Sequence, residues 1–425
     1  MLKQWLFFFQ MTSRRLSVRA ALFALLGIVS SLAGVLFDVY VPEEFADLVG
    51  GDAVDSILSM MASSMLIVVT FAISTMVAAY SSATQQATPR ATILIINDSN
   101  SQSAISIFLG AFIYSIVSLI ALSTDYYGEK GRVILLLTTV LVLMAVIWVV
   151  IKWVEELRQM GSVHATIRRV EEVTQRALKL RADQPTFGCR PLESIPVDAL
   201  PVLADKVGYI QNIDIKGLAE IAEDEDFKIY MENDVGAFVH LQSKLLFISS
   251  QKKLSKRTSL KLRELITIGE ERTFNSDPRY GMTVLSGIGI KALSASLNDP
   301  GTAIDVVGTI VRLLINWENQ ESSCEVTPHK YHRLYFPKLL VSDLFNDSFY
   351  GLSKAGSSHM EVVKTLQSAF KVLAECPKAE FQRSADEHME ILNLRSEAEF
   401  SLSVDLQRIH SKKMIGENQR QRSFS

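Results

Sequence analysis

Glu270, Glu271, Arg272 and Asp277 stand immediately before a glycine-rich apolar segment, and Asn298, Asp299 and Asp305 follow it. Carboxylates beside a guanidinium suit general acid–base chemistry when one carboxyl is strongly shifted next to a pocket. The same residues serve equally as helix caps and ion pairs. Asp299 before Pro300 has the form of an N-cap followed by proline at the first helical position. If the flanking segments form a helical hairpin, carboxylates from its two ends approach one another. A second constellation is a stripe. Ser56, Ser59, Ser63, Thr70, Ser74, Ser81, Gln85 and Thr88 fall within roughly an 80° arc of one helix. Ser63, Thr70, Ser74, Ser81, Gln85 and Thr88 are the candidates to line a polar passage or to pack against other helices. Arg90, Asn97 and Asp98 follow the stripe as candidates for its mouth, with gate, anion contact and topology signal all open for Arg90.

Other chemistry lacks its residues. Cys189, Cys324 and Cys376 are far apart with no CxxC pairing, as reduced thiols would be. His329 and His332 are three apart but have only Cys324 nearby, so no metal is expected. No P-loop, dinucleotide-binding glycine pattern, HExxH or GxSxG occurs. No cofactor is expected. A net charge of -3 argues against nucleic acid as a partner.

The elements that must position these residues divide the chain in two. Hydrophobic residues make up 48% of the 425 and charged residues 21%, with mean hydropathy +0.20. The excess lies in residues 1–152, which hold 8 Lys and Arg and 9 Asp and Glu, against 35 and 37 in the remainder. Four uncharged stretches are long enough to cross ~30 Å of hydrocarbon as helices. They predict membrane spans at about 17–37, 56–80, 104–124 and 132–151 of a transmembrane domain, 1–152. Span one reads as an anchor rather than a cleaved signal, because its apolar run is long and three more spans follow. Lys3, Arg14, Arg15 and Arg19 precede span one, and Lys152, Arg158, Arg168 and Arg169 follow span four. Residues 38–55 contain no Lys or Arg. Both termini are therefore expected in the cytoplasm, which makes Arg90 part of a cytoplasmic mouth. Span three carries a ridge of Ser106, Gly110, Tyr114 and Ser118, suited to a helix–helix contact. No Asp, Glu, Lys or Arg sits mid-span, which disfavours a proton relay or voltage sensor.

The rest is expected to be a cytoplasmic α+β region. Residues 153–182 read as an amphipathic helical stalk whose apolar face suits a neighbour, such as a second subunit. A proline-rich linker opens a small β-rich domain at 183–255, a barrel or sandwich with one brief helix near 215–222. Within it, Asp234-Val-Gly-Ala-Phe-Val-His-Leu-Gln-Ser-Lys-Leu-Leu resembles the strand-turn-strand of biotinyl/lipoyl hammerheads. The resemblance implies fold but not swinging-arm chemistry, because Ile248-Ser-Ser-Gln-Lys-Lys253 replaces that family's modified-lysine turn. Residues 256–411 read as mainly helical, with an extended piece at 333–336, and 412–425 as a flexible tail.

Several phrases resemble one bacterial family. They are Thr88-Pro89-Arg90, Leu109-Gly110-Ala-Phe-Ile-Tyr114, Glu270-Glu-Arg-Thr273, Asp277-Pro278, Gly281 and Lys291-Ala-Leu-Ser-Ala-Ser-Leu-Asn-Asp-Pro-Gly-Thr-Ala303. The family is the predicted membrane proteins of domain of unknown function 2254, and the likeness runs from span one to about residue 410. Lys291 and Ala295 replace the Arg and Pro of the family phrase. The resemblance implies topology and assigns no activity. The leading expectation is a homo-oligomer in the bacterial inner membrane whose second spans surround a path for ions or small solutes. A membrane-anchored sensor or scaffold binding a ligand or protein partner is the alternative. An enzyme at the membrane surface ranks third.

Overall fold

A computed structural model describes residues 51–96, 99–123, 129–159, 162–249, 255–323 and 329–410, with Ala21, Leu25 and Val29 isolated before them. The chain forms two compact units, Met1–Gln85 with Thr92–Ala165, and Gln86–Ala91 with Thr166–Ser425.

The first unit is apolar and helical. α1 (Gly51–Gln86) runs unbroken through the second predicted span and the polar residues beyond it. A break at Ala87 and Thr88 precedes α2 (Pro89–Ile96), where Thr88 Oγ1 and carbonyl O both accept from Ala91 N and Pro89 takes the first helical position. α3 (Ser99–Ser123) and α4 (Glu129–Gln159) follow. Among the described residues three helices are long and apolar enough to cross a membrane, at Ala53–Ser82, Ser103–Ser123 and Arg132–Leu157. The expected span at 17–37 lies outside the described residues, apart from helical Ala21, Leu25 and Val29.

The expected ridge on α3 is an interior contact. Ser106, Gly110, Tyr114 and Ser118 are buried, and Tyr114 Oη lies 3.0 Å from both Thr138 Oγ1 and Thr139 Oγ1 of α4. Met65 and Ala72 of α1 pack with Phe108 of α3 and with Val146, Val149 and Trp153 of α4.

The second unit mixes strands and helices. β1 (Cys189–Pro191) lies in the stretch expected to be a proline-rich linker, whereas β2 (Leu200–Leu203), β3 (Gly208–Ile213), β4 (Lys228–Met231), β5 (Phe238–Val239) and β6 (Lys244–Ser249) fall where β-rich sequence is punctuated by turns. They do not close a domain at 183–255. β7 (Ile266–Gly269) and β8 (Tyr331–Phe336) complete the two sheets, ordered β1-β8-β4-β6-β2 and β5-β3-β7. β8 pairs in parallel with both β1 and β4, so it must arrive by a long crossover. Residues 266–269 were expected to be helical. They form a strand because β-branched Ile266, Thr267 and Ile268 find β3 to pair with. The phrase likened to a hammerhead contributes β5 to the smaller sheet and β6 to the larger.

Helices pack beside the sheets. α5 (Val163–Asp183) is separate from α4 rather than a continuous stalk. Much of its apolar face is covered within the chain, while Leu180 stays exposed. Ile167, Val170, Ala177 and Leu178 are buried in the chain's own fold, and Arg312 forms an ion pair with Glu171 of α5. α6 (Ile215–Asp224) and α7 (Lys256–Glu264) flank the sheets. α8 (Pro278–Ala292) and α9 (Pro300–Ser323) pack as a hairpin. α10 (Val341–Phe345), a π-helical turn (Asn346–Tyr350), α11 (Gly351–Gly356), α12 (Met360–Ala374), α13 (Ala379–Glu399) and α14 (Ser403–His410) complete the unit. The tail predicted at 412–425 lies outside the described residues.

Candidate functional site

The glycine-rich helix α8 gathers most of the residues singled out by the sequence. Asp277 caps its first turn, accepting from Tyr280 N at 3.0 Å, and Pro278 begins the helix. The same carboxylate takes a bidentate pair from Arg272, with Nε to Oδ2 and Nη2 to Oδ1 both 2.9 Å. Its side chain is 1% exposed. Burial pushes the Asp277 carboxyl above the usual carboxylate range, and the Arg272 guanidinium opposes that shift. Gly236 crosses directly over this pair at φ +89, where a Cβ would collide with Asp277 Oδ2.

Two further arginines organise the same region. Arg279, one residue inside α8, donates from Nη1 to Asp343 and from Nε to Asp347, each at 2.6 Å. Those carboxylates are four apart, so they present to one side of the α10–π-helix segment. Arg181, at the end of α5, donates from Nη2 to Pro337 O at 3.2 Å and pairs with Asp234 at 3.0 Å. Its guanidinium lies over the rings of Phe187 and Phe336. Burial lowers the Arg181 pKa, and Asp234 opposes that effect. Between these pairs opens a cleft of about 400 Å³, with Asp234, Gly236, Arg272, Arg279, Lys338 and Asp343 among its lining residues.

The arrangement holds backbone segments together. Each of the three arginines is paired with carboxylate, and the most buried carboxylate is committed to a guanidinium and to a helix end. The cluster expected from both ends of the hairpin does not converge. Asn298 takes a left-handed turn conformation at φ 46, and Asp299 caps α9, accepting from Thr302 N at 3.1 Å and Thr302 Oγ1 at 2.6 Å. These bonds hold the Asp299 carboxyl below its ordinary pKa. Asp277 and Asp299 stand at opposite ends of the 15-residue α8, ~22 Å apart along its axis at 1.5 Å per residue. An antiparallel partner brings the end of α9, not its beginning, back to Asp277. Glu270, Glu271 and Asp305 are exposed; the backbone carbonyl of Glu271 accepts from Gln211 Nε2 at 2.7 Å and that of Asp305 from Thr309 Oγ1 at 2.9 Å.

The stripe on α1 keeps its face. Ser63, Thr70, Ser74, Ser81 and Gln85 are exposed in the single chain, and Thr88 is half-buried in the break. Val54, Leu58, Met61, Met65 and Ala72 are buried. At ~100° per residue these five lie within about 40° of the direction opposite the stripe. The hydroxyls of Ser63, Thr70 and Ser74 donate to the carbonyls of Ser59, Leu66 and Thr70, four residues back, each at 2.9 Å. Gln85 Nε2 reaches Ser81 Oγ at 3.5 Å. Arg90 is exposed in the first turn of α2, while Asn97 and Asp98 lie outside the described residues.

The sequence marks Lys291 only as a departure from the family phrase. Its Nζ donates to Ala87 O at 2.5 Å, and Ala87 and Ala91 are fully buried. Thr88 Cγ2 lies 3.6 Å from where a Gly287 Cβ would be. Burial raises the pKa of Tyr280 on the same helix, and the charge of Arg90 opposes it. Arg181, Asp234, Arg279, Asp343 and Asp347 carried no sequence signal, because their partners are 53 to 68 residues away. Among the described residues no group of three His, Cys, Asp or Glu is placed to hold a metal. Cys189 is buried in β1 of the larger sheet, and that burial pushes its thiol up to about 12.

Three apolar helices of spanning length among the described residues, in a chain that also carries an ion-paired α/β unit, define a membrane protein. The family model described as predicted membrane protein (DUF2254) matches residues 13–372, and the chain belongs to that family. Uncharacterized proteins of Mycobacterium bovis and Mycobacterium tuberculosis are 33% identical to it over 118 residues, which is 27% of this chain. The chain spans 23% of the length of those relatives. No solved structure matches.

Proposed function

We propose that the protein is a four-span inner-membrane protein with both termini in the cytoplasm, assembled as a homo-oligomer around a polar path for ions or small solutes. The mixed α/β unit is then its cytoplasmic assembly or gating domain. One observation carries this reading: the hydroxyl stripe of α1 points away from the helices that pack against it. A stripe serving only the chain's own described bundle would face α3 and α4. Each hydroxyl has one proton and two acceptor lone pairs. At Ser63, Thr70 and Ser74 the proton is spent on a carbonyl four residues back, so what these residues offer outward is oxygen acceptors, which suit cations or water.

Reconstituted full-length protein should carry ion flux in liposomes, and Ser74→Leu or Ser81→Leu should reduce it by roughly tenfold or more, because a leucine replaces acceptors with hydrocarbon. Flat traces from correctly assembled oligomers across Na⁺, K⁺ and Cl⁻ would remove conduction. The sensor reading draws on the ~400 Å³ cleft, which has both charge signs on its walls. In that case small ligands stabilise the protein against heat, while the stripe substitutions leave their binding unchanged.

A further inference from the structure

We propose that Lys291 is a positioning residue that latches the elbow Gln86–Ala91 onto α8 and so sets where the end of the polar helix α1 is held. The inference deepens the conduction reading and rests on it only for its consequence, not for the contact.

A helix leaves its last four carbonyls without partners inside the helix, and the chain beyond it needs donors. α1 ends at Gln86, and the carbonyl of the next residue, Ala87, accepts from the Lys291 ammonium. A cation there also meets the negative end of the helix dipole. The contact is built rather than incidental. Tyr280, Gly287 and Lys291 fall within about 40° on one face of α8 at ~100° per residue. The Thr88 side chain borders the same face, its Cγ2 3.6 Å from the position a Gly287 Cβ would take, an ordinary packing distance. Ala87 and Ala91 are both 0% exposed. The elbow is also sharply defined, because Thr88 and Pro89 start a new helix two residues after α1 stops.

The other end of α8 carries the Arg272–Asp277 and Arg279–Asp343 pairs at the cleft. One straight helix therefore joins the ion-paired cleft to the elbow.

The test uses the full chain in lipid nanodiscs, with Cys324 and Cys376 replaced by Ser and Ala91→Cys introduced. Maleimide modification at position 91 should be slow with Lys291. It should become roughly tenfold faster or more in Lys291→Met, which keeps the stem and removes the charged donor. Lys291→Arg should restore slow labelling. Buried Cys189, still present, reports folding and should stay unreactive in all three proteins. Equal labelling rates with Lys291 and Lys291→Met would overturn the latch. A second measurement stands independently of Lys291 substitutions. Thr88→Cys with Gly287→Cys, in a background with Cys189→Ala and the other two cysteines replaced by Ser, should form an intramolecular disulfide under mild oxidation. Failure to form it in folded protein would also overturn the latch. Neither readout involves flux, so a latch that behaves as described in a protein that conducts nothing removes the conduction reading alone.

Discussion

His388 on α13 shows how a single side chain can be read for its proton. Its Nδ1 lies 2.9 Å from Ser384 O, which can only accept, so that nitrogen carries the hydrogen. Nε2 is buried without a hydrogen-bond partner, and the rings of Phe345, Phe349 and Phe370 surround the imidazole. Burial lowers its pKa, outweighing the Ser384 carbonyl. The folded protein therefore takes up this proton less readily than the unfolded chain. Stability is full above the ordinary histidine value of about 6.5 and falls as pH drops below it. Melting temperatures of the detergent-solubilised protein should decline between pH 7.5 and 5.5, and His388→Leu should flatten part of that decline. An identical slope in both proteins would assign the dependence to other groups. Nothing around residue 388 in the sequence announces this, because the three phenylalanines come from α10, the π-helical turn and α12.

At the scale of elements, three phrases that looked like chemistry are helix starts. Thr88-Pro89, Asp277-Pro278 and Asp299-Pro300 each place a side-chain oxygen on an open backbone N–H and a proline at the first helical position. The sequence marked Asp299-Pro300 as such a start, because capping is local, whereas the start at Thr88-Pro89 emerged only in the folded chain. Their costs differ with surroundings that are not local. Asp299→Ala should lower stability by about 1 kcal/mol, the usual worth of an exposed cap. Asp277→Ala should cost roughly 3 kcal/mol or more, because it also strands the Arg272 guanidinium. Thermal denaturation of both variants side by side checks the order, and equal losses would show that the buried pair adds nothing to the cap. α8 itself was legible as a glycine-rich helix suited to close packing, but which neighbours its glycines admit was not. A Cβ at Gly281 would collide with Thr174 of α5 and one at Gly289 with Leu352 of α11, whereas one at Gly287 would meet Thr88 only at an ordinary packing distance.

For the whole molecule, the division into an apolar front and a charged back is visible in composition, yet the boundary of the folded unit is not where linker residues suggested. Prolines at 185, 191, 196 and 201 read as a linker, but Pro191 ends β1, Pro201 lies in β2, and α5 before them belongs to the α/β unit. Arg181 pairs with Asp234, Glu171 with Arg312, and Thr174 sits against Gly281. A fragment beginning at Ser162 should therefore fold and melt cooperatively. One beginning at Asp183 should aggregate or melt without a transition, having lost a buried helix face and left Asp234 unpaired. Circular dichroism and light scattering on the two fragments decide this, and equal behaviour would mean that α5 is only a tether.

Hydropathy, caps, breakers and alternating strands settled much in advance: three helices of spanning length, the stripe on one of them, and six of the eight strands. These depend on residues within a few positions of one another, where helical and pleated geometry are fixed by the backbone alone. The arrival of β8 between β1 and β4, the pairing of Arg279 with Asp343 and Asp347, and the seating of Ala87 on Lys291 came only with the folded chain. In each case the partners are between 64 and 204 residues apart, or join strands of distant segments. Such meetings are set by how elements stack to bury apolar faces, and no local pattern encodes that path.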